Sequence, residues 1–420
     1  MWRQSGRGWL FAVLFLLAAC GPRGPVQGDF GFVEGFFGGL IADEPRAALV
    51  GREVLSAGGT AADAAVAAYF TMAVTMPGSA SLAGGGVCLV HDAVRIKTEV
   101  ISFLPGRTAA ADGRFGVPGN IRGMFLLNAR YGQLDWSKLL LPAENFARNG
   151  HTVSRAFSRD LLATRAVWAG DPEARAIFGG SATTEGRLLR QSELAAIISN
   201  LRTRGPGEFY DGSLGRLFVE AVNQAGGNLT ISDLRAYRPG LLEPLRFELG
   251  NNQVVFPPTN GGLISARVWE AGRTEDRFDD ATGAARHHLI LESGARAYQA
   301  TAQGGDVGSL ASAEALMQSY DANAHRPVVP SVAIREDELH DGASIVAVDN
   351  QGRTVACSFT MNGAFGSGVV APGTGVLLAN TADSPRASVP AVALVVNEFV
   401  GLTFFAAAGS GPVAETIARV

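Results

Sequence analysis

Residues 61–74, AADAAVAAYFTMAV, constrain the fold of this chain more than any other stretch. The run is alanine-rich and apolar on every side, and a helix with no polar face has to be buried. Thr60 offers an N-cap, with Asp63 three residues on. Gly58-Gly59 stops a preceding helix read over 46–58, and Met76-Pro77-Gly78 ends the apolar one. A fully buried helix needs apolar layers around it, and the sequence supplies them from residue 343 onward. ASIVAVD and RTVACSFTM flank the turn Asn350-Gln351-Gly352 and predict a hairpin. GVVAPGTGVLL predicts a second, bent at Pro372-Gly373. AVALVVNEFVGLTFFAAA predicts a third, turning near Asn397-Glu398. Both faces of these strands are apolar, which implies a sheet covered on two sides. Helices feeding a doubly covered, largely antiparallel sheet predict a layered α/β sandwich.

Between these ends, LDWSKLLLPAENFARNG (134–150), SELAAIISNLRTRG (192–205) and GRLFVEAVNQAGG (215–227) show the three-and-four spacing of amphipathic helices. SASLAGGG reads as a loop leading into the strand VCLV at 87–90. Gly84-Gly85-Gly86 lacks the spacing of a phosphate-binding loop, so close backbone approach is its expected use. Pro257 to Gly262 (PPTNGG) reads as a loop. His288 and Glu292 share a helix face in HHLILESGARAY, but HExxH is absent and no metal site is assigned. With 35 Lys+Arg against 39 Asp+Glu the net charge is -4, which argues against nucleic acid as a partner. A composition 47% hydrophobic and 18% charged excludes a disordered chain. No cofactor is implied.

The first residues carry a separate message. Arg3 and Arg7 precede an apolar run from Trp9 to Ala19, too short for a bilayer-spanning helix. Charged start, short apolar middle and small-residue exit make a secretory signal over 1–19. Leu17-Ala18-Ala19-Cys20 resembles a bacterial lipoprotein box, which marks Cys20 as a lipidated mature N-terminus and 20–39 as a tether. The expected location is exported, on the periplasmic side of a bacterial membrane, held by the lipid anchor. Cys88 and Cys357 lie in apolar strand-like runs, so they read as packing residues rather than as a bridge.

Several segments, in their order, resemble the gamma-glutamyltransferase (gamma-glutamyltranspeptidase) family. GGTAADAAVAAYFTMAV with MPGSASLAGGGVCLVHD is similar to its N-terminal signature. GVPGNIRGMFLLNARYG, LLLPAENFARNG, ARAIFGG, GEFYDG, SDLRAYRP, PPTNGG and MNGAFGSGVVAPGTGVLLAN continue the likeness, from about residue 40 to 412. The resemblance implies the four-layer αββα sandwich of N-terminal-nucleophile hydrolases, here short at its C-terminus. Residues 40–341 then correspond to a large-subunit-like region and 342–420 to a small-subunit-like one. The implied chemistry is transfer or hydrolysis of a γ-glutamyl group from glutathione or a related compound. A precursor cleaves itself to expose a threonine, whose freed amine serves as base for its own hydroxyl.

Carried onto this sequence, that chemistry meets substitutions. Anchoring the family's TTHxSVVD on Val348-Asp349 puts Gly342 at the nucleophile, with Ala343 and Ser344 in place of the next Thr and His. Ser344 is the nearest hydroxyl, two residues and about 6.6 Å along the same strand face. Leu104 replaces the arginine expected after Phe103, and Arg107 is the nearest alternative. Asn362 matches the pocket asparagine. Of the acidic pair, Asp383 remains and Ser384 stands at the amine-binding acid. Ser388 is what is left of a double serine, and Gly409-Ser410-Gly411 stand where the oxyanion glycines belong. Two readings follow. One is a divergent γ-glutamyl hydrolase or transferase. The other is a non-catalytic lipoprotein that binds a γ-glutamyl compound or small peptide.

Overall fold

Glu44 opens the first helix, α1 (Pro45–Ser56), by accepting hydrogen bonds from the backbone N–H groups of Arg46 and Ala47. Thr60 opens α2 (Ala61–Thr75) with a capping box: its Oγ1 accepts from Asp63 N, and Asp63 Oδ2 accepts from Thr60 N at 3.0 Å. Every residue of α2 is buried, as its all-round apolar surface requires. The structure, a computed structural model, describes residues 37–110, 113–180, 184–302, 312–325, 342–381, 390–397 and 399–409.

Ten strands form the two main sheets. They are β1 (Gly38–Ala42), β2 (Gly85–Asp92), β3 (Lys97–Ser102), β4 (Gly240–Leu242) and β5 (Leu245–Leu249). Next come β6 (Asn252–Phe256), β7 (Ala343–Asp349), β8 (Thr354–Thr360), β9 (Ala391–Asn397) and β10 (Leu402–Gly409). One sheet has the order β1-β7-β8-β2-β3-β4 and the other β10-β9-β6-β5, with the pairings within each antiparallel. Ala343, Ile345 and Ala347 of β7 pack with α2 on the outer side of the six-stranded sheet. Ala356 of β8 instead meets Val255 and Leu394 of the second sheet. Beyond that sheet, Phe256 and Ala393 pack against Ala266 of the helix Asn260–Arg273. Helix, sheet, sheet, helix is the four-layer sandwich expected.

Strands 343–349, 354–360, 391–397 and 402–409 follow the hairpins read from the sequence, as does the short pair Val370–Ala371 with Val376–Leu377. The amphipathic helices appear as Trp136–Asn149, Ser192–Arg204 and Ser213–Gln224. Four readings change. Asn260-Gly261-Gly262, read as loop, begins a helix instead. Pro77–Ala80 is a short helix, and Gly85 and Gly86 already belong to β2. Gly38 and Gly39, assigned to the tether, pair with Asp349 and Val348 as part of β1. Cys88 and Cys357, read as packing residues, are joined in a disulfide. Both are fully buried and directly opposite each other in the β2–β8 ladder. Only the sheet register could reveal this, because 269 residues separate the two in sequence.

Candidate functional site

The hairpin β7–β8 sets the site. Its register pairs Ser344 with Ser358 and Ala343 with Phe359, so the next step brings Gly342 opposite Thr360. Opposed residues share a face, and the face holding Ser344 and Ser358 is the one turned to the second sheet. Ser358 crosses that gap, its hydroxyl donating to the carbonyl of Gly409 at 2.5 Å. Gly342, Ser344, Thr360 and Gly409 therefore gather at one end of the inter-sheet space.

Gly342 has φ +83°, a backbone conformation that a β-branched residue avoids. Ser344 is held by Asp43, the residue that follows β1. Asp43 Oδ2 accepts from the Ser344 hydroxyl at 2.7 Å and from the Ser344 N–H at 2.7 Å. The carboxylate thus fastens the start of β7 to the end of β1. A carboxylate is a weak base for an aliphatic hydroxyl, and the nitrogen of Ser344 is an internal amide rather than a free amine.

Asn362 lies two residues beyond Thr360, buried and with φ +53°, a region asparagine tolerates better than most residues. Its N–H donates to Thr360 Oγ1 at 2.8 Å. Its side-chain amide donates to the Asn380 carbonyl, and Asn380 returns the bond to the Asn362 carbonyl, both at 3.0 Å. This reciprocal pair holds the chain after β8 against the segment leading towards 383. The glycine triplet is what lets these parts approach. A Cβ on Gly85 would lie 2.4 Å from the Pro105 ring, and one on Gly84 2.7 Å from the Thr360 carbonyl. Packed this way, the loop after β3 carries Leu104 and Arg107 past the start of β2. Leu104 offers only its carbonyl, which accepts from the Tyr237 hydroxyl at 2.8 Å. Arg107 is exposed on the same loop. Asp383, Ser384, Ser388, Ser410, Gly411 and Cys20 lie outside the described residues.

Three participants were not singled out in the sequence. Thr360 was legible, since counting outward from the turn at 350–352 puts it opposite Gly342. Asp43 and Asn380 carry no such signal, because their roles arise from strand neighbours distant in sequence. The helix pair read at His288 and Glu292 is accounted for otherwise. Glu292, buried, pairs with Arg296 and His325, while His288 meets the Tyr320 hydroxyl. A groove of about 360 Å³ between α1 and the helix Trp136–Asn149 is lined by Arg46, Leu49, Glu53, Leu141, Asn145 and Phe146 among others. None of the candidate site residues lines it.

The sequence model described as Gamma-glutamyltranspeptidase matches residues 47–113 and 107–394. The chain belongs to the gamma-glutamyltranspeptidase family. It is 31% identical to the glutathione hydrolase proenzyme of Pseudomonas aeruginosa, over 88% of this chain and 72% of that protein. Glutathione hydrolase 3 of Arabidopsis thaliana is 29% identical over 84% of this chain, and the match spans 60% of that relative's length. Among solved structures, a gamma-glutamyltranspeptidase from Pseudomonas nitroreducens complexed with L-DON superposes with a TM-score of 0.60. That match has 26% identity and covers 72% of this chain and 97% of the other. A cephalosporin acylase from Bacillus halodurans gives a TM-score of 0.71 at 21% identity, covering 92% of this chain and 80% of that one, a likeness of fold. The family's sandwich is therefore present in this chain.

Proposed function

We infer that this member of the gamma-glutamyltranspeptidase family binds a γ-glutamyl compound or small peptide without carrying out the family's transfer chemistry. One observation carries the reading: Gly342, at φ +83° and opposite Thr360, stands at the strand start to which the motif anchored on Val348-Asp349 assigns the attacking threonine. Glycine has no hydroxyl, so it can neither cleave the precursor nor hold an acyl group. Leu104 in place of an arginine adds to this, since a carboxylate in the pocket would lose a charge-assisted partner worth roughly 1.5–3 kcal/mol. Asn362 and, by sequence, Asp383 and Gly409-Ser410-Gly411 remain to contact a ligand, with Arg107 as the nearby cation. Exported as a lipoprotein through Cys20, the protein would present this site on the periplasmic side of a bacterial membrane.

The second reading is an active hydrolase with Ser344 as nucleophile, favoured by the 2.7 Å hydrogen bond from its hydroxyl to Asp43. That reading requires cleavage before Ser344 to supply an amine as base. Purified protein incubated with a chromogenic γ-glutamyl anilide, beside a denaturing gel and calorimetric titration with glutathione, separates the two. The binding reading expects one chain, no colour and a saturable heat. Two fragments with a new N-terminus at Ser344, and turnover, would replace it with the hydrolase.

A further inference from the structure

The strands of the sandwich have two ends, and they differ in chemistry. The candidate site occupies one. At the other end the hairpin turns meet. A Cβ on Gly401, in the turn between β9 and β10, would lie 2.9 Å from the Ala93 carbonyl in the turn between β2 and β3. A Cβ on Gly352, in the β7–β8 turn, would lie 3.4 Å from Ala93 Cβ and 3.7 Å from the Gly401 carbonyl. The β5–β6 turn joins them through the 3.0 Å hydrogen bond from Asn397 to Asn252.

Two of these four tips, the β2–β3 and β9–β10 turns, are apolar where a solvated turn would be polar, whereas Asn350-Gln351 and Asn251 keep the other two polar. Phe399 is 89% exposed, Val94 65%, Val400 61%, Phe404 60%, Ile96 49% and Leu402 48%. They make up six of the fifteen large hydrophobic side chains exposed among the described residues, collected on two adjoining turns and the start of β10. Scattered exposed leucines need no explanation, whereas a contiguous apolar patch marks a surface that is covered in use. Arg95 and Lys97 stand among the apolar side chains, exposed and paired with Asp92 and Glu99, a mixture suited to a headgroup boundary.

The path of the chain supplies the occupant. Gly38 pairs with Asp349, beside the β7–β8 turn, so the described chain starts at this same end. Sixteen residues separate Cys20 from Phe37 in the sequence, a reach of at most about 55 Å when extended. An apolar run and a lipobox-type cysteine thus join the fold beside its apolar tips. We propose that this end of the sandwich, with Phe399, Val400, Val94 and Ile96 at its tips, seats itself on a lipid bilayer. The β7 strand then stands between the membrane and the candidate site. The seven steps of strand from Asp349 to Gly342 hold the site roughly 23 Å above the tips, with its mouth turned to the aqueous side.

The test reads depth directly in the chain from residue 20 onward, in a Cys20→Ser background, so that neither the apolar run Trp9 to Ala19 nor an acyl chain contributes in any arm. An environment-sensitive fluorophore is attached at Phe399→Cys, or at Leu162→Cys as control. Leu162 is exposed on the helix Arg155–Ala163, whose Phe157 stacks near Phe365 at the site end. With vesicles of phosphatidylethanolamine and phosphatidylglycerol, emission at 399 is expected to rise at least two-fold. Doxyl-labelled acyl chains should then quench it by half or more, with position 162 unchanged. No response at 399 overturns the proposal. So does brightening at 399 that follows protein concentration without lipid, which would assign the patch to a second copy of the chain. Fatty-acid labelling at Cys20 is scored separately in the unmutated protein, so failure of the anchor and failure of the surface are told apart.

Discussion

At the scale of single residues, the proposed loss of the family's chemistry turns on Gly342. Replacing it by threonine restores a hydroxyl at the strand start but forces a β-branched residue to φ +83°, at a cost of about 1–2 kcal/mol. The hydroxyl would also sit on an internal peptide, with no amine to take its proton. Gly342→Thr alone is therefore expected to remain one chain on a gel and inactive towards a γ-glutamyl anilide. Leu104→Arg, Gly342→Thr and Ala343→Thr combined is the smallest variant with prospects of activity. Self-cleavage by the single variant together with turnover of a γ-glutamyl substrate would mean that the pocket is intact and that the inferred losses at Leu104 and Ser384 are a misreading. A second residue contributes to the response to acid. Burial, with the charge of Arg46 adding to it, pushes the His151 imidazole down to about 4 from its ordinary 6.5. The folded protein thus keeps His151 neutral where the unfolded chain protonates it. Its contribution is complete above about pH 6.5 and is lost progressively as pH falls towards 4, by roughly 3 kcal/mol in full. Melting temperatures measured across that window should fall for the parent protein and fall less steeply for His151→Phe, with paired carboxylates such as Glu99 supplying the remaining slope. An equal slope in both would assign the acid response elsewhere.

At the scale of elements, the contact between the start of β2 and the loop after β3 shapes the site. Gly84, Gly85 and Gly86 each face backbone or ring atoms so closely that no side chain fits. Gly85→Val would drive its Cβ into the Pro105 ring and the Phe103 carbonyl, so strand or loop must move. Overpacking of this kind costs typically 1–3 kcal/mol. The Leu104–Arg107 loop should shift with it. A lowered melting temperature together with weaker glutathione binding is the expected pair of results. Unchanged binding would show that this loop takes no part in the ligand pocket. The same glycines could be noticed in the sequence, but their partners could not, because Pro105 and Thr360 reach them through two different strand pairings.

At the scale of the whole molecule, one cross-link ties the two sequence regions together. The Cys88–Cys357 disulfide closes 269 residues of chain and joins β2 to β8 in the middle of the six-stranded sheet. A bridge spanning so long a loop restricts the unfolded chain strongly, and its loss typically costs 2–5 kcal/mol. Cys88→Ala with Cys357→Ala should therefore unfold at markedly lower denaturant. Because both cysteines are fully buried, the folded parent should resist dithiothreitol until denaturant opens the sheet. Rapid reduction of the native protein would contradict that. Among the described residues, strands from both sides of residue 342 share one sheet, since β7 and β8 insert between β1 and β2.

Local pattern accounts for what the sequence determined alone. Period and capping fixed the buried helix after Thr60. Two-sided apolar strands predicted a doubly covered sheet, and the ordered motifs predicted the family and its four layers. The expectation that Gly342 stands at the nucleophile's place was likewise drawn from the sequence, by aligning residues 342–362 with the family motif without a gap. What needed the tertiary structure were contacts between residues far apart in the chain. Asp43 meets Ser344 across 301 positions, Cys357 meets Cys88 across 269, and Asn380 ties down Asn362. Each depends on which strands neighbour one another and in what register. A strand's own residues state its faces but not its partners, so these pairings became visible only in the folded molecule.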